Sequence, residues 1–93
     1  MIQRDLLGRY EYIDPSINSK KYWHLVYNKD TRQYTAKWGR IGQRAQETIY
    51  EGDSTALKKV KEKLKKGYHY RQGFDQVYGN ENSINFIMNL PED

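Results

Sequence analysis

The residues of this chain best equipped to act on a partner are Trp38, Gly39 and Arg40, in the run KWGRIG, with Lys37 just before them and Arg44 four positions beyond. An indole stacks on a base or a sugar for roughly 1–3 kcal/mol whatever the sequence. Glycine has no side chain to keep backbone N–H groups away from a phosphate, and each arginine offers a forked pair of donors that matches phosphate oxygens. Lys20 and Lys21, one strand earlier, fall on the same edge if the two strands pair. This is the chemistry of holding an anionic, ring-bearing polymer. The same residues also have a structural reading. Tyr34, Ala36 and Trp38 alternate, so an unbroken strand sends Trp38 into the core, and only a bulge at the glycine would turn it outward. Arg40 could equally bond loop carbonyls.

The second basic feature is DSTALKKVKEKLKKGY. Its six lysines (58, 59, 61, 63, 65 and 66) stand against Asp53 and Glu62 alone, and the segment carries the whole net charge of +4. A field this lopsided attracts acidic partners. The segment reads as a helix. Asp53, Ser54 or Thr55 can cap its first turn, Leu57, Val60 and Leu64 share one face, and Gly67 suits the left-handed residue after the last turn. Lys58, Lys61 and Lys65 on its polar side are further candidates for phosphate contacts, against the alternative of a merely solvated face.

These groups need a scaffold, and 93 residues supply one domain. The hydrophobic share is only 37% and mean hydropathy is −1.08, but nine tyrosines, two tryptophans and two phenylalanines can close a small core. GRYEYID, KKYWHLVYNK, RQYTAKWGR and AQETIYEG read as strands, with NKDTR as a hairpin turn between the second and third. SINFIMNL alternates as a further strand, and GYHYRQGFDQVYGNENS reads as a connecting loop. The sum is an antiparallel sheet of about four to five strands with one packed lysine-rich helix.

At KWGRIG the chain resembles a WGR domain, the module named for the triplet at Trp38, Gly39 and Arg40. Lys21, Tyr22 and Trp23 match the aromatic strand before the signature, and Lys63 to Tyr68, KLKKGY, match the ending of the helix after it. The resemblance covers about residues 9–68 and leaves 69–93 as an extension packed on the same single domain, 1–93. It implies an α+β fold and a binding role: in poly(ADP-ribose) polymerases such modules help hold the end of a broken DNA strand, with the tryptophan against the terminal sugar and the arginine near the backbone. Small bacterial proteins made of little else are similar to this chain. Two departures stand out. Gln43, Arg44, Ala45 and Gln46 replace the usual threonine-x-glycine-glutamine run, and Ala56 stands where a bulky aromatic is usual.

Other functions find little support in the residues. Without cysteine there are no disulfides and no thiolate metal sites, and His24 and His69 lack the close partners of a metal signature. No paired carboxylates, nucleophile-base pair or phosphate-binding glycine loop points to catalysis or to a small-molecule cofactor. The absence of a long apolar stretch or a signal-peptide core makes a cytoplasmic, membrane-free protein the expectation. The expected function is therefore non-catalytic binding of nucleic acid, DNA ends or nicks foremost and RNA as a further ligand, without base-specific readout. The alternative is a protein-interaction module that docks an acidic or enzyme partner on its tyrosines or its helix.

Overall fold

Aromatic and β-branched residues dominate the chain before residue 52, and they form four consecutive antiparallel strands: β1 (Gly8–Asp14), β2 (Ser19–Asn28), β3 (Gln33–Arg40) and β4 (Gln46–Glu51). The computed structural model describes residues 1–72 and 77–79. Helix α1 (Asp53–Lys65) follows, then β5 (His69–Gln72) and the short β6 (Val77–Tyr78). The sheet runs β4-β3-β2-β1-β5, and β6 joins the end of β2 as its one parallel pairing among the described residues. No helix among the described residues is long and apolar enough to cross a membrane.

Period-two alternation divides the side chains between two faces. Tyr10, Trp23, Leu25, Tyr27, Tyr34 and Ala36 lie on the face that α1 covers, all buried in one cluster with Ala56 and Val60. Rings supply most of this volume. Tyr27 and Tyr34 sit 4.8 Å apart between centroids and Tyr10 and Trp23 5.4 Å apart, both tilted as aromatic quadrupoles prefer. The opposite face is buried along β2 as well, at Tyr22, His24 and Val26. There the Arg9 guanidinium lies 4.6 Å above the Tyr22 ring and donates to Glu11 at 2.8 Å.

Of the apolar stripe expected for the helix, Val60 is in the core and Leu57 packs at its margin, but Leu64 is not part of it. Ala56 and Val60 are fully buried, whereas Leu64 is 47% exposed. The core beneath α1 is built of large rings, so the helix approaches it through its smallest residue and the inward line runs Ala56, Val60, Lys63. Its N-cap is Gly52, which offers no side-chain acceptor. Asp53 instead accepts from the Tyr34 hydroxyl at 2.5 Å, and the same oxygen of Tyr34 accepts from the Ile2 N–H at 2.8 Å. At the other end the Tyr68 N–H reaches the Lys63 carbonyl and the Gly67 N–H reaches Leu64, with Gly67 at φ +98. That double bond is the Schellman stop. A side chain at Gly67 would also press on the Tyr12 ring at 3.2 Å.

Among the described residues the sheet has six strands where four to five were expected, because His69–Gln72 and Val77–Tyr78, both in the stretch read as a loop, form β5 and β6. Tyr70 stands edge-on to Tyr10 at 5.0 Å and donates to the Leu7 carbonyl at 2.6 Å, and Arg71 reaches Glu11 at 3.3 Å. Long-range partners, invisible in a short polar-aromatic run, hold this edge strand. SINFIMNL lies outside the described residues.

Burial of phenols gives the fold a pH signature. Desolvation first, then the hydrogen bond to Asp53, pushes Tyr34 up to about 12, and desolvation moves Tyr10 further in the same direction. Unfolded tyrosines ionise near 10. Stability should therefore hold up to about pH 10 and fall above it as the unfolded chain loses protons first. Tyr34→Phe should cost about 1–3 kcal/mol in urea denaturation at neutral pH. It should also make the alkaline fall shallower and let the Asp53 carboxyl, now held low chiefly by Tyr34, rise in a carbon-13 NMR titration.

Candidate functional site

Strands β2 and β3 pair without interruption from Asn28↔Gln33 to Lys21↔Arg40, with Trp23 opposite Trp38. No bulge intervenes at the glycine. Trp38 therefore points to the helix side of the sheet, where it is half-buried at the margin of the core and donates its indole N–H to the Thr48 hydroxyl at 3.0 Å. Part of the ring braces the fold and part faces outward. Gly39 has φ +154, a conformation that side-chain-bearing residues rarely adopt. The neighbouring atoms would leave room for a Cβ, the nearest being the Arg44 carbonyl oxygen at 3.5 Å, so backbone shape rather than space calls for glycine.

The turn after β3 closes through the Ile41 N–H to the Lys20 carbonyl and the Gln43 N–H to the Arg40 carbonyl. Positive φ in this turn falls on Gly42, and Ala45 keeps an ordinary backbone. The departure from the usual run at Gln43–Gln46 is thus accommodated without strain. Arg40 is exposed and donates from Nη2 to the Asn18 carbonyl at 2.9 Å, which ties the signature turn to the β1–β2 turn.

Between this turn, the ends of β1 and β2 and the C-terminal end of α1 lies an open cleft of about 620 Å³. Lys21, Arg40, Arg44, Lys63 and Lys66 line it, and no carboxylate does. Its aromatic residues are Trp38, Tyr22, Tyr12 and Tyr68, the last two with ring centres 5.6 Å apart. Lys63 reports the electrostatics. Its ammonium lies 5.1 Å from the Tyr68 ring centre and 5.9 Å from that of Trp23. Partial burial holds its pKa below the ordinary lysine value, and repulsion from Lys66, Lys59 and Lys21 adds to the effect, against a smaller opposite pull from Glu62. Positive charge is thus concentrated here at a cost, which an anion entering the cleft would relieve.

The cleft gathers Lys21, Trp38, Gly39, Arg40 and Arg44 of the residues singled out from the sequence. Lys58, Lys61 and Lys65 lie elsewhere, along a separate shallow hollow of about 370 Å³ on the flank of α1. Lys37 is not beside the signature in space: it is buried, 6% exposed, on the opposite face of the sheet, because neighbours along a strand alternate. The pleat likewise sends exposed Lys20 away from Lys21. Lys63, Lys66, Tyr12 and Tyr68 complete the cleft without having been picked out as site residues. One signal was available, since Lys63 follows Val60 by three and so shares the inward side of α1.

Among the described residues no group of three or more His, Asp or Glu side chains could hold a metal ion. Convergent cations and rings suit binding and orienting a ligand, and among the residues lining the cleft no acid or base is paired with a nucleophile. Comparison with known proteins agrees with this picture: the family model described as the WGR domain matches residues 9–75. No curated protein and no solved structure matches the chain.

Two substitutions separate bracing from gripping. Trp38→Ala should lower stability by about 2 kcal/mol in urea denaturation, roughly half the loss for a fully buried tryptophan, since only part of the ring is enclosed. Lys63→Met keeps the apolar stem and removes the costly charge. Its melting temperature should equal or exceed that of the wild type, while its affinity for a polyanion falls.

Proposed function

The chain belongs to the WGR domain family, and on that premise we propose that it is a non-catalytic nucleic-acid-binding module that grips DNA at ends or nicks in its signature cleft. The family is known for nucleic-acid binding in proteins like the poly(ADP-ribose) polymerases. The observation that carries the reading is the cleft itself, which five cations and four aromatic residues line without a carboxylate. Phosphates meet Lys21, Arg44, Lys63 and Lys66, while Trp38 offers the outward part of its ring to a sugar or base. Arg40, tied to Asn18, both orders the turn and faces phosphate. Gly39 lets the backbone come close.

Lys58, Lys61 and Lys65 act at longer range, raising the local concentration of polyanion rather than fixing its position. Lys37 and Lys20, on the other face, take no direct part. No base-specific readout is proposed, because the reading rests on cations that meet phosphates and rings that meet bases or sugars, surfaces that every sequence presents. RNA ends present the same phosphates and rings, and a competition between DNA and RNA of one sequence ranks the two. The alternative, a tyrosine surface for a protein partner, has less ring surface to use than nine tyrosines suggest, because Tyr10, Tyr22, Tyr27, Tyr34 and Tyr78 are buried, while Tyr70 is 40% exposed.

Fluorescence anisotropy with a labelled nicked duplex at two salt concentrations tests the proposal. Wild-type affinity should fall steeply with salt as counterions return to the phosphates. Arg44→Glu combined with Lys66→Glu should weaken binding at least roughly tenfold and reduce the logarithmic salt slope by about 2. Lys58→Glu combined with Lys61→Glu should weaken it less. Affinity that ignores salt would contradict the proposal.

A further inference from the structure

Ile17 has the highest exposure of any large hydrophobic side chain among the described residues, 67%, and it sits on the lip of the cationic cleft. Single exposed apolar residues are common and need no explanation by themselves. This one differs in how firmly it is presented. Ile17 ends the 3-10 turn Pro15–Ile17, whose first φ is fixed by the proline ring. The Asp14 carboxylate accepts from the Ser16 N–H at 3.1 Å and from its hydroxyl at 2.6 Å, and Tyr12 donates to the same carboxylate at 3.4 Å. Asn18, in the left-handed conformation, bonds back to Pro15 and gives its carbonyl to Arg40. The turn is braced on both sides, with Ile17 left standing at the cleft that Lys21, Arg40 and Arg44 also line.

An isoleucine gains nothing from a phosphate. It gains from covering the face of a base, or of a terminal sugar that no neighbour covers, and in a continuous duplex the base faces are already stacked. They become available where a strand ends or can be parted. Apolar side chains that enter between base steps from an otherwise cationic surface work in this way. We propose that Ile17 is the specificity-determining residue of the cleft: an apolar wedge that covers the uncovered base or sugar at a strand discontinuity, so that the cations supply affinity and Ile17 supplies the preference for an end or nick over intact duplex. This role rests on the nucleic-acid reading above and adds to it the residue that selects the substrate.

The test compares wild type, Ile17→Leu and Ile17→Ser on two labelled duplexes identical except for a central nick, at two salt concentrations. A parallel nicked duplex carries 2-aminopurine beside the nick, whose fluorescence rises on unstacking. Wild type and Ile17→Leu should prefer the nicked duplex and raise the 2-aminopurine signal. Ile17→Ser should lose roughly tenfold of that preference, as expected for one apolar side chain left uncovered, with an unchanged salt slope and no rise in signal. Exposure of the side chain makes the variant fold like wild type, which its melting temperature checks. Retention of nick preference by Ile17→Ser, or equal binding of both duplexes by wild type, overturns the role of Ile17 while leaving the cleft as a nucleic-acid grip. Absence of salt-sensitive binding to either duplex by wild type overturns both.

Discussion

The pairing of β2 with β3, Trp23 opposite Trp38 and Lys21 opposite Arg40, is the constraint on which the rest of the molecule depends. Because the register runs unbroken to the end of β3, it decides which way every signature side chain points. Trp38 goes to the helix side, Lys37 to the other, and Arg40 ends beside Lys21 at the mouth of the cleft. A slip of one residue would exchange the two faces and empty the site of its indole and its arginine. The aromatic core resists such a slip, since Tyr27, Tyr34 and Trp23 are all buried in this register.

Helix α1 completes the site from the other direction. It packs through Ala56 and Val60, and this rotation brings Lys63 over the Trp23 and Tyr68 rings instead of into solvent. The Schellman turn at Gly67 then lays Tyr68 against Tyr12, so the chain's return toward the sheet edge builds the third wall. Positive charge is held there against mutual repulsion, and the surface ion pair of Lys59 with Glu62, 3.4 Å apart and exposed, offsets little of it. Stability alone does not call for such an arrangement. The proposed polyanionic ligand would give it a purpose.

Much of this was legible in the residues. Alternation and turn chemistry located β1 to β4 and the hairpin, and the capping glycine marked the end of α1. The signature and the KLKKGY ending pointed to the family that the match over residues 9–75 establishes. Three things were hidden, each for a physical reason. Apolar periodicity sees Leu64 but not half-buried Lys63, so the inward stripe of α1 was misplaced at its C-terminal end. Closeness along the chain put Lys37 beside Trp38, although the pleat separates them. β5 depends on Tyr10, Leu7 and Glu11, all distant in sequence, and its own run of His, Tyr and Arg carries no strand signal strong enough to outweigh the flanking glycines. Alternation alone did not place Trp38 because it stands at the boundary: its indole N–H is spent on Thr48 while it also lines the cleft.

The measurement that bears most directly on the cleft as the grip is a nitrogen-15 NMR titration of the protein with a nicked duplex, following backbone amides and the two indole N–H signals. Binding in the cleft predicts shifts at the Trp38 indole, at residues 39–44 and at residues 63–68, while the indole of buried Trp23 moves far less. Shifts confined to the flank of α1 at Lys58, Lys61 and Lys65, or no shifts at all, would contradict it.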